Sequence, residues 1–156
     1  MTEYESFLDN VTEENIQVIE NYDLSGTNLK GLYCDGVVAL GDNLETQAEK
    51  KCVLAEELGH HYTATGDILD QSTVSNRKQE MRGRIMAYNK LVGLRGIVDA
   101  YLHHCESLSE SAEYLDVTEE FLIDSLCYYK NKYGICAQID NYVIMFEPSI
   151  AILELV

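Results

Sequence analysis

The 156-residue chain has no tryptophan, one proline (Pro148) and ten scattered glycines. With so few breakers it shows no flexible linker, repeat or low-complexity tract, and one domain with a sizeable core is expected. Cysteine is present but unpatterned. Cys34, Cys52, Cys105, Cys127 and Cys136 are odd in number and form no C-x-x-C, which argues against a disulfide framework. Cys52 and Cys127 fall in apolar helical patterns and are expected to be buried thiols. The lack of an apolar run near 18 residues excludes a transmembrane helix. The start, Met1-Thr2-Glu3-Tyr4-Glu5, is acidic with no apolar segment behind it, so no secretory signal is expected. These absences together predict a reduced, soluble, cytoplasmic protein.

Positive charge is also scarce. Eleven basic residues stand against 27 acidic ones, a net charge of −16. Such a field repels nucleic acid and anionic membranes and favours cationic partners, a basic DNA-binding protein among them. The same acidity would also serve solubility alone.

What the chain does contain reads as α+β and mainly helical. Tyr4 to Tyr22 carries Phe7, Val11, Ile16 and Ile19 among acids, the pattern of an exposed amphipathic helix or helix pair. Two β-prone runs, 31–34 and 37–40, flank Asp35-Gly36, a strong hairpin signal. A long helix opens near Glu45, capped by Asn43 or Thr46, and runs to His61 with Ala48, Cys52, Ala55 and Leu58 or Gly59 as its buried stripe. A loop follows to Gln71. Helices are then expected from Ser75 or Asn76 to Val92, from Arg95 to Glu106, from Ser109 to Leu115, and from a Thr118 cap to Tyr133, stopped by Gly134. The tail, 137–155, changes to strand periodicity around an Asp140-Asn141 turn. The whole reads as one domain over 1–156, with a core at 1–106, a helix pair at 107–134 and a β element at 135–156.

The chemistry concentrates in Cys52-Val53-Leu54-Ala55-Glu56-Glu57-Leu58-Gly59-His60-His61-Tyr62. Glu56 and His60 are four apart and so share a helix face. This is the spacing of H-E-x-x-H, where the first and fifth positions hold zinc and the second is the general base. Glutamate stands at position one here. A competing register pairs Glu57 with His61 but puts Leu58 where the base belongs, so Glu56 and His60 are the preferred ligands and Glu57 the base. Catalytic zinc needs a third protein ligand. Glu80 is one candidate, because Gly83 and Ala87 on its stripe would let that helix pack closely and aim Glu80 at His60. Asp67 and Asp70 are rivals from spacing alone. Read blandly, Glu56 and Glu57 are solvated helix charges and His60 a satisfied polar residue.

Two further clusters carry less. His103-His104-Cys105 has soft ligand types, but adjacent helical residues diverge, so one His at the surface and one along a helix seam are expected. Ala112 to Leu122 has the rhythm of a helix-turn-helix. Its second helix opens with Glu119 and Glu120, which DNA phosphates would oppose, so it reads as a packing motif.

The Cys52–His61 segment resembles the motif helix of the ImmA/IrrE-type metallopeptidases of phages and mobile elements. Glu80 followed by Gly83, Met86 and Ala87 resembles their downstream E-x-x-A-x-x-F-A segment. The helix pair and the Tyr142–Pro148 ending are similar too, so the likeness runs from about Lys30 to the C-terminus. The resemblance implies a minimal zincin-like domain in which a strand before the motif helix walls the cleft. It also implies zinc on Glu56, His60 and Glu80, with Glu57 activating water. The implied substrate is a basic helix-turn-helix repressor of a prophage, usually encoded alongside. Glu56 departs from the family pattern. Two carboxylates and one imidazole would leave the ion less electrophilic and shift preference toward manganese or iron. An expectation of a different class therefore stands beside this one: a non-catalytic acidic antirepressor that binds a basic repressor.

Overall fold

A computed structural model describes residues 1–63 and 74–156. The fold is α+β, with six helices and two three-stranded sheets among the described residues. It divides into two compact units, Met1–Ala87 and Tyr88–Val156. Each unit has its own sheet and its own buried apolar set. Among the described residues, no helix is long and apolar enough to cross a membrane.

In the first unit, α1 (Glu3–Glu13) opens with a capping box: Glu5 N–H donates to Thr2 Oγ1 at 3.1 Å and Thr2 N–H to Glu5 Oε2 at 2.8 Å. Tyr4, Phe7 and Val11 form its buried face. The helical expectation stops there. Asn15 takes φ 62°, a left-handed turn that asparagine tolerates. The next segment, β1 (Gln17–Tyr22), is a strand. Its Glu20 and its exposed Ile19 hide the strand alternation, because one face of an outer strand meets solvent.

Strands β2 (Gly31–Cys34) and β3 (Val37–Gly41) form the expected hairpin. Asp35 and Gly36 both take positive φ, 45° and 80°, as a two-residue turn of this twist requires. The strand order is β1-β3-β2, with β1 parallel to the central β3 and β2 antiparallel to it. Against β2 and β3 lies α2 (Gln47–Thr63). Thr46 accepts from Glu49 N–H at 3.1 Å at its start. Cys52, Leu54, Ala55, Leu58 and Gly59 make its buried face. Then α3 (Val74–Leu91) follows.

In the second unit, α4 (Gly93–Leu102), α5 (Leu108–Leu115) and α6 (Glu119–Tyr133) accompany an antiparallel sheet. Its strands are β4 (Cys136–Ile139), β5 (Tyr142–Met145) and β6 (Ala151–Glu154), paired in that order. Thr118 caps α6 by accepting from Phe121 N–H at 3.1 Å, and Gly134 ends it at φ 81°. Val98, Leu122, Tyr129 and Ile144 are fully buried. Cys127 is exposed, not buried as its apolar neighbours suggested. It lies on the side of α6 away from Leu122, Ser125 and Tyr129, which hold the buried face.

Candidate functional site

The helices α2 and α3 meet at two glycines. A methyl added to Gly59 would fall 2.7 Å from the Gly83 carbonyl carbon and 2.8 Å from its Cα. Backbone therefore touches backbone at a distance that no other residue type permits. The expected close approach through Gly83 is present, and it brings His60 beside α3: a Cβ on Gly83 would stand 2.9 Å from His60 Nδ1.

Glu57 sits under β2. A Cβ at Gly31 would lie 3.1 Å from Glu57 Cγ and 3.3 Å from its Oε1, so the absent side chain of Gly31 leaves room for the carboxylate. Burial first, then the charges of Glu56 and Glu80, push the Glu57 carboxyl up to about 7. His60 is held below its ordinary value, chiefly by burial; Glu80 opposes that shift and Arg84 adds to it. Arg84 also pairs with Glu80 at 3.6 Å, one helical turn away. The two helices thus share one electrostatic neighbourhood containing Glu56, Glu57, His60, Glu80 and Arg84.

The second register has a different task. His61 Nδ1 shares a hydrogen bond with Tyr33 Oη at 2.7 Å, joining α2 to β2. Its ring stands edge-on to both Tyr33 and Tyr62. Tyr62 Oη donates to Glu14, beyond the end of α1. His61 and Tyr62 are therefore held in structural contacts.

The chemistry of the donors suits a divalent cation, since an imidazole and several carboxylates adjoin a carboxyl pushed up first by burial and then by the neighbouring negative charges. Their placement is looser. Among the described residues, no three His, Cys, Asp or Glu side chains gather as a group that could hold a metal ion. Asp67 and Asp70, the rival third ligands, lie outside the described residues.

Sequence reasoning missed Gly31, Tyr33 and Arg84. Arg84 was legible as the i+4 partner of Glu80; Gly31 and Tyr33 reach the site only through strand pairing. Elsewhere, His103 and His104 are both exposed, where a seam position was expected for one of them. The helix α4 ends at Leu102, so the pair lies in the turn beyond it, and His103 stacks on Tyr114 at 4.5 Å between ring centroids. The helix-turn-helix rhythm corresponds to α5 and α6 around a left-handed Asp116, φ 54°. Compared with known proteins, the chain matches no family model, no curated protein and no solved structure.

Proposed function

We propose that the first unit is a metal-dependent endopeptidase of the ImmA/IrrE kind, zincin-like in fold, that inactivates a basic helix-turn-helix repressor of a prophage or mobile element. The observation that carries this reading is the crossing of α2 and α3 at Gly59 and Gly83, which sets Glu57, His60 and Glu80 in one neighbourhood. Glu56, His60 and Glu80 are the proposed ligands of zinc, or of manganese or iron. The ion would polarise the scissile carbonyl and make water more acidic. Holding it requires those three side chains to swing together from their described positions. Glu57 takes a proton from the attacking water and passes it to the leaving amine, and its upward shift suits a base working near neutrality. Gly31 and β2, whose outer edge has no strand neighbour in the described sheet, wall the cleft beside it.

The deciding experiment is the metal content of untagged protein, purified without added metal, together with cleavage of the repressor encoded alongside. About one divalent ion per chain and cleavage that Glu57→Gln abolishes are expected. A metal-free, folded and inactive chain would sink the reading.

A second reading is favoured by the ungathered ligand set and by the −16 charge: a non-catalytic antirepressor that binds a basic repressor through its acidic surface. It predicts intact repressor in the complex, affinity that falls steeply with salt, and indifference to His60→Ala. Salt-insensitive binding would count against it.

A further inference from the structure

The second unit contains a cavity of about 340 Å³ between α4, α5, α6 and the start of β6. Ile97, Leu115, Leu122, Leu126 and Ile152 form its apolar wall. Ligand pockets of this size are mostly apolar, with a few polar groups that fix orientation. Besides Tyr101 of α4 and Ser111 of α5, the polar groups here are at the turn between the two helices. Cys105 Sγ donates to the Glu110 carbonyl oxygen at 3.6 Å, and Ser107 Oγ accepts from Glu110 N–H at 3.1 Å. Glu110's own carboxylate accepts from Glu106 N–H at 2.9 Å. That leaves the exposed Glu106 side chain as the one charge in the lining, and no Lys, Arg or His is among the described lining residues.

We propose that this cavity binds a small apolar molecule with a cationic head, its hydrocarbon part against Ile97, Leu122 and Ile152 and its charge at Glu106. The sign follows from the lining and from the chain's net charge of −16, both of which disfavour an anionic amphiphile such as a fatty acid. The site does not depend on the proposed peptidase chemistry and adds an occupant to the other unit.

The test uses the full chain and the uncharged fluorophore N-phenyl-1-naphthylamine at roughly physiological salt, which damps non-specific attraction of cations. Saturable binding at about one fluorophore per chain is expected. Decyltrimethylammonium should displace it at a concentration about tenfold lower than decanoate, a difference of about 1.4 kcal/mol. Ser111 lines the cavity from α5 and is half-buried, so Ser111→Phe should fill the space without unfolding the chain and weaken fluorophore binding about tenfold or more. Should that variant fail to fold by circular dichroism, Ser111→Leu takes its place. Glu106→Gln should leave fluorophore binding intact and erase the preference for the cationic competitor. Absence of saturable binding, or binding that a folded cavity-filling variant leaves unchanged, overturns the site. Equal displacement by decanoate, or a cation preference that survives Glu106→Gln, overturns the assigned ligand chemistry.

Discussion

Gly59 of α2 rests directly on the backbone of Gly83 of α3, while Gly83 carries the His60 imidazole on its vacant side-chain position. The two contacts are unequal. A methyl on Gly59 would meet main chain, which cannot yield without parting the helices. A methyl on Gly83 would come closest to the His60 ring, which can rotate, and would meet the His60 backbone nitrogen only at 3.2 Å. Gly59→Ala is therefore expected to destabilise by about 3 kcal/mol or more, and Gly83→Ala by about 1–2 kcal/mol, each partly offset by alanine's better helix propensity. Denaturant unfolding of both variants checks the order. Equal losses would mean that the helices separate freely.

The ionisation of Glu57 gives a pH signature in chelator-treated protein. Its folded-state carboxyl titrates near 7 against an ordinary 4.5, so the folded chain retains a proton that the unfolded chain has released. Stability from this group is fully present below about 4.5 and is lost as pH rises through 7. Glu57→Gln removes that loss. The metal-free variant should exceed its parent by about 1–3 kcal/mol at about pH 8, after allowance for partial exposure, with the gap closing toward about pH 5. A gap that does not vary with pH would place Glu57 in a solvated setting.

Much of this framework was legible locally. Asp35-Gly36 specified its turn, Thr118 and Gly134 bounded α6, and Gly83 announced a close helix approach, because each acts through its own backbone or its immediate neighbours. The strand β1 was not legible. Its identity comes from pairing with Val37–Gly41, some twenty residues downstream, and its own residues favour no single period. The same limit hid Gly31 and Tyr33, whose roles arise only when β2 lies on α2. Cys127 was misread for a related reason: apolar neighbours on a helix do not say which side faces the core.

Tyr33 tests the seam between sheet and motif helix. Its hydroxyl meets His61 Nδ1 at 2.7 Å and accepts from Gly36 N–H at 3.2 Å. Tyr33→Phe should cost about 1–2 kcal/mol. In the same variant the His61 imidazole signal should shift by NMR while that of His60 stays in place. Movement of both would show that His60 depends on the seam.

In the second unit, Tyr129 Oη donates to Asn89 Oδ1 at 3.0 Å and accepts from Gly93 N–H at 3.1 Å, at the entry to α4. Tyr129→Phe leaves that amide without its partner and should destabilise by about 1–3 kcal/mol. Asn89→Ala should cost less, because the amide bond survives. The two thermal melts rank the bonds, and the reverse order would assign the larger share to Asn89.

The parallel pairing of β1 with β3 also decides how short a working fragment can be. The first 22 residues precede the hairpin and the motif helix, and trimming them would look harmless on a map of candidate site residues. Yet β3 is the middle strand only while β1 is beside it. A fragment starting at Asp23 would bare the backbone N–H and C=O groups of Val37–Gly41 along a new rim and strip α1 from α2. An unprotected apolar rim of that kind recruits strands from other molecules. Such a fragment would keep Glu56, Glu57, His60 and Glu80 and still be lost to precipitation, so inactivity in it would say nothing about those four side chains.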